Sequence, residues 1–131
     1  FESHLDALIS YCDTRKFLDP LDAFKEENSQ PFVSWDLEGE KEHPLAFMVI
    51  FIAYQALLET LLQDFATARD MDSKELYFQC RDALDGQFTA LFEEHRHKWF
   101  VDLLFEWQEY EVFVESMLVV ARKKSNRTTR K

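Results

Sequence analysis

Turn-forming residues are scarce in this sequence, with two glycines and three prolines among 131 residues. A sandwich or barrel of many short strands needs more turn chemistry than that, so long helices with few joints are expected. The same scarcity removes any glycine-rich loop whose backbone could cradle a phosphate, and no serine sits in a nucleophile elbow. Enzymatic activity is therefore not expected. Cysteine is sparse as well. Cys12 and Cys80 lie among helix-forming residues, and without a secretory segment they are expected to be reduced, partly buried thiols. The Asn126-Arg127-Thr128 match to a glycosylation acceptor then has no chemistry behind it. Beginning at Phe1, the chain reads as a piece of a longer protein, with room for targeting signals upstream.

Basic charge is short everywhere except at the end. The last ten residues, "RKKSNRTTRK", hold six of the fifteen Lys and Arg and no acid. Up to Ala121, nine bases face twenty-five acids, a net of -16 against -10 for the whole chain. Such a body repels phosphate backbones, so nucleic acid is excluded as a partner of the folded part. A basic protein partner suits it. One helical domain is expected over residues 1–124, with 125–131 as a basic, disordered tail.

What the sequence does contain is core. Hydrophobic residues make up 47% and aromatics 15%, with thirteen Phe, in a chain the size of one domain. Ser3 and Asp6 resemble a capping box before a helix through Leu5, Leu8, Ile9 and Cys12. Asp19 and Pro20 predict the N-cap and first position of a second helix carrying Leu21 and Phe24, with Phe17 on the approach. Residues 28–43 are expected to be irregular, anchored by Phe32 and Trp35. Pro44 opens "PLAFMVIFIAYQALLETLLQDFATA", whose wholly apolar run before Gln55 is too short to span a bilayer, so no transmembrane segment is expected. Asp72 or Ser73 should cap a fourth helix carrying Leu76, Tyr77 and Cys80 and ending near Gly86. From Gln87 to about Lys124 no strong breaker occurs, and a bend or joint is expected.

The stretch "DLLFEWQEYEVFVESML", Asp102 to Leu118, places that joint. On a continuous helix Leu103, Trp107, Tyr110, Val114 and Met117 would share one face, while Val101, Phe105 and Val112 would take the opposite one. Either both faces are covered, or a joint near Gln108–Glu109 shifts the phase. Candidate chemistry is thin by comparison. In "EEHRH", Glu93 to His97, the two histidines lie about 200° apart on a helix, which suits a charged surface and not a metal site. Neither a metal nor another cofactor is expected. What remains is an apolar surface beside an acidic rim, able to hold an amphipathic helix, or alternatively an aromatic-rich core.

Two stretches carry a family resemblance. Tyr54, Leu57, Leu58, Glu59 and Leu62 follow Y-x-x-L-[VL]-E-x-x-[IL], and Glu109, Tyr110, Phe113 and Met117 form an acid–aromatic–x–x–Phe pattern ending in methionine. Together they resemble the BART-like domain family, named for the binder of Arf-like GTPase two. Leu45, Phe47, Ile50, Phe51 and Phe24 also fall where that family places apolar residues. Val114 stands in place of the family's lysine, and Glu109 in place of its capping aspartate.

The resemblance implies an all-α single-domain bundle of about six helices, monomeric and cytoplasmic, in a ciliary or flagellar setting. It implies a non-enzymatic effector that holds the N-terminal amphipathic helix of a GTP-bound Arf-like small GTPase in an apolar groove. Phe51, Tyr54, Leu58 and Leu62 would form one wall, and Leu103, Leu104, Trp107, Tyr110, Phe113 and Met117 the other. The alternatives are a constitutive helix-binding scaffold, indifferent to nucleotide, and a carrier of a lipid or acyl chain.

Overall fold

A computed structural model describes residues 4–39, 41–84 and 98–129. Among the described residues there are seven helices and no strand. They are α1 (His4–Cys12), α2 (Arg15–Glu27), α3 (Gln30–Glu38), α4 (Leu45–Ala68), α5 (Ser73–Leu84), α6 (Lys98–Gln108) and α7 (Tyr110–Thr129). The all-α bundle is as expected, but several boundaries differ.

The second helix begins five residues earlier than Pro20 suggested. Its N-cap is Thr14, whose hydroxyl accepts a hydrogen bond from the Phe17 amide at 3.4 Å. Phe17 and Leu21 are both buried, one turn apart. Keeping them on one face requires helix across Asp19–Pro20, so Pro20 sits inside α2 and removes one backbone hydrogen bond to the carbonyl of Lys16. Burial of Phe17 outweighs that loss.

The expected irregular stretch contains a helix, α3. A nine-residue helix has little stability of its own, and tertiary burial supplies what propensity does not. Phe32 is buried in a stack on Phe47, ring centroids 3.9 Å apart, and Trp35 meets the same ring edge-on at 5.8 Å. The two anchors are thus as expected, on a helix instead of a loop. Gly39 then ends α3 with a left-handed φ of 68°, a conformation that glycine adopts without steric cost.

Helix α4 is the centre of the bundle, packed against α2, α3, α5, α6 and α7. Phe47, Ile50, Phe51, Tyr54, Leu58, Leu62 and Phe65 repeat every three or four residues along its buried side. Although the apolar run before Gln55 is short, the whole helix is long and apolar enough to cross a bilayer by length and composition. Its buried side instead carries the core of this bundle.

Asp72 caps α5 by accepting from the Lys74 amide at 3.0 Å, while its expected end at Gly86 lies outside the described residues, as does Ser3. The chain joint falls at Glu109, between α6 and α7. The Glu109 amide closes α6 on the Phe105 carbonyl at 2.7 Å, and its own carbonyl accepts from the Phe113 amide at 3.1 Å to open α7. The phase shift lets Leu104 and Trp107 on α6, and Phe113, Val114, Met117 and Leu118 on α7, all reach the core.

The last helix continues through Thr129, past the boundary expected at 124. Part of the basic segment is docked on α3 and its approach. Arg122 pairs with Asp36 at 3.1 Å, and Lys124 donates to the buried Ser29 hydroxyl at 3.2 Å.

Candidate functional site

The two sequence patterns meet where α4 faces α6 and α7. Phe113 packs against Phe51 at 5.3 Å and Tyr54 at 4.9 Å, and Tyr110 meets Phe51 edge-on at 5.6 Å. Of the ten residues expected to wall a groove, Phe51, Tyr54, Leu58, Leu62, Leu104, Trp107, Phe113 and Met117 are buried, and Leu103 and Tyr110 are partly buried. The structure brings them together, but as core and core margin. Facing apolar side chains with nothing between them collapse onto one another, because apolar burial is worth roughly 25 cal/mol per Å².

A polar cluster locks this seam. The Tyr54 hydroxyl donates to Glu106 Oε1 at 2.6 Å, and Lys25 forms an ion pair with the same carboxylate. Lys25 also donates to Ser116 Oγ at 3.0 Å, and Gln55 Nε2 to the Trp107 carbonyl at 3.0 Å. Four helices are thereby tied at one level. Burial, and then the Glu106 carboxylate, push the Tyr54 hydroxyl far above its ordinary pKa, so it remains a donor. The Lys25 and Glu106 side chains are only 16% and 13% exposed, the setting in which removing one partner strands a charge.

The accessible apolar surface lies on other residues. On the outer side of α4, Leu45, Met48, Val49 and Ile52 are 79%, 40%, 59% and 57% exposed. Their spacing of three, four and seven makes one stripe along the first two turns. None of these four residues is among the ten expected to wall a groove, although the sequence carries a signal for them. "LAFMVIFIAY" is apolar on two faces of one helix, and the helices packed around the first turns of α4 cover only one of them. Leu37 and Phe78 stand exposed elsewhere. A smaller groove of about 420 Å³ runs between α6 and α7, floored by Phe105, Val112 and Val119 and rimmed by Asp102, Glu106 and Glu115.

Reactive chemistry is weak among the described residues. No group of three or more His, Cys, Asp or Glu could hold a metal ion there, and the 93–97 cluster lies outside the described residues. Cys12 and Cys80 are unpaired and fully buried, deeper than expected. Burial pushes the Cys80 thiol up to about 12 and raises Cys12 further, so neither carries a thiolate near neutral pH. The arrangement can bind an apolar face beside acidic groups.

A family model described as the ARF-like 2 binding protein BART matches residues 1–126. No curated protein and no solved structure matches the chain.

Proposed function

The chain belongs to that BART family, and on this premise we propose that it is a non-enzymatic binding module for an Arf-like small GTPase in its GTP form. The element held would be the GTPase's N-terminal amphipathic helix. The observation that carries the reading is the exposed stripe Leu45, Met48, Val49 and Ile52 on the central helix of an otherwise acidic domain. Contiguous exposed apolar residues with a polar rim mark binding surfaces, and the spacing of three, four and seven is the spacing of a helix-on-helix contact.

The energetics are adequate. Each aliphatic side chain fully buried in the contact contributes roughly 1.5–3 kcal/mol before ordering costs are subtracted. Four such side chains on each partner support micromolar or tighter binding. Nucleotide dependence needs no chemistry in this chain. A GTPase that frees its helix only with GTP bound offers the ligand in one state, and that difference in affinity makes the binder an effector. The ten residues at the α4, α6 and α7 seam support the platform from beneath.

Calorimetric titration with Arf-like GTPase two, loaded with a GTP analogue or with GDP, tests the reading. Binding should be at least tenfold tighter with the GTP analogue and should vanish when the GTPase's N-terminal helix is deleted. Equal affinity in both nucleotide states would leave the constitutive scaffold. Binding that survives helix deletion would remove the proposed contact altogether.

A further inference from the structure

We propose that the cleft between α3 and the start of α4 is a socket for one cationic side chain, arginine before lysine, of the helix that docks on α4. The proposal rests on the docking surface just described, and it adds a charged contact at one end of it.

The cleft measures about 460 Å³, ample for a guanidinium and its stem, and is walled by Trp35, Glu38, Glu42, Pro44 and Ala46. Trp35 is held in place. Its indole N–H donates to the Glu42 carbonyl at 3.0 Å, and its ring packs against His43 at 5.2 Å and Phe47 at 5.8 Å. Trp35 is partly exposed and lines the cleft, and a cation over an indole ring is attracted by its negative face.

Charge points to the same occupant. The side chains of Glu38 and Glu42 are exposed and make no ion pair among the described residues, whereas Asp36 on the same helix is taken by Arg122 at 3.1 Å. Two unpaired carboxylates beside an indole suit a planar guanidinium, which stacks on the ring and bridges both acids. The acidic body repels anionic headgroups, so the surface favours a basic helix over an anionic membrane.

Position completes the case. Ala46 forms the rim of the cleft and lies in the turn of α4 that carries Leu45 and Val49. The socket and the apolar stripe are therefore continuous. Farther along, the outer side of α4 turns polar at Glu59, Thr60 and Gln63, so a docked helix gains nothing by sliding that way. A base one turn beyond the apolar residues of the partner helix therefore comes to lie over Trp35.

The test is fluorescence anisotropy with the full chain and synthetic amphipathic helices. One peptide carries leucines at i, i+3, i+4 and i+7 with an arginine one turn before the first. A second has glutamine in place of the arginine, and a third has the arginine moved to the helix face opposite the leucines. The first peptide should bind about tenfold more tightly than either of the others. The double variant Glu38→Gln/Glu42→Gln should bind all three equally, and Ile52→Asp should bind none. If the wild-type chain does not distinguish the peptides, or the double variant still does, the socket is overturned while loss of binding in Ile52→Asp leaves the docking surface standing. If Ile52→Asp binds as well as wild type, the docking surface itself falls. Sedimentation with phosphatidylcholine vesicles, without binding of any peptide, would overturn both in favour of a membrane.

Discussion

The two halves of α4 share one buried side and differ on the other. From Leu45 to Ala56 the outer side presents Leu45, Met48, Val49 and Ile52; from Glu59 to Ala68 it presents Glu59, Thr60, Gln63, Asp64 and Thr67. Inside, the series Phe47, Phe51, Tyr54, Leu58, Leu62 and Phe65 runs through both without a break. The surroundings also differ. The second half is approached by α1 and α5, with the Tyr11 hydroxyl donating to the Leu61 carbonyl at 3.1 Å and the Tyr77 hydroxyl to the Glu59 carbonyl at 3.4 Å. Where the outer side is polar, solvent is its partner. Where it is apolar, nothing within the described chain covers it, and the free energy of covering it remains available for binding. The core and the proposed binding surface thus use the same residue types on one helix, separated by about half a turn.

The largest expected effect tests the shared buried side. Phe51→Ala in the first half and Leu62→Ala in the second should each cost about 2–5 kcal/mol of stability in urea unfolding, since both leave cavities in a packed core. A negligible loss at Phe51 alone would mean that the first half is poorly packed, and the contrast would no longer concern the outer side only.

The outer sides should then separate. Val49→Ser is expected to weaken GTPase binding by roughly 1–3 kcal/mol, the range for truncating an interface anchor. Gln63→Ser should leave binding unchanged. Both should hold stability within about 0.5 kcal/mol of wild type, because neither touches the core. Equal binding by the two variants would erase the distinction between the halves.

A smaller effect reports on the side enclosed by α1 and α5, where Cys12 and Cys80 are buried. Burial raises both thiols in the folded chain, Cys80 to about 12. The unfolded chain therefore loses these protons first. Their contribution to stability is complete below the ordinary thiol range and is lost as pH rises through it toward the folded values. Unfolding free energy should be insensitive to these groups up to about pH 8. Between about pH 9 and 10 it should fall by up to roughly 1.4 kcal/mol per pH unit for each thiol. Replacing both with alanine should flatten that slope; an unchanged slope would assign it to other groups.

Much of the fold was legible, and the misses have physical causes. The joint at Glu109 could be read because seventeen residues placed apolar side chains on two opposed faces, which one straight helix cannot bury in a small bundle. Helix α3 could not, since nine residues beginning Gln-Pro look like a loop until Phe47 is available for Phe32 to stack upon. Pro20 misled for a related reason. Local capping chemistry favoured a start at Asp19, and the burial of Phe17 overruled it. Around the candidate site, the patterns through Tyr54 and Phe113 lie on the buried side of their helices, where α4 meets α6 and α7. The exposed stripe matches neither pattern.

By itself the sequence determined helix content, the joint near Gln108, the aromatic core and the acidity of the body, because periodicity, missing turn residues and charge are local properties of a chain. Only the tertiary structure decided which of the two apolar faces of α4 lies inside. Periodicity reports that both faces are apolar, and a face becomes core or binding surface according to what packs against it. That packing comes from residues such as Phe32 and Phe113, distant in sequence, which settle on Phe47, Phe51 and Tyr54 and leave Leu45, Val49 and Ile52 uncovered.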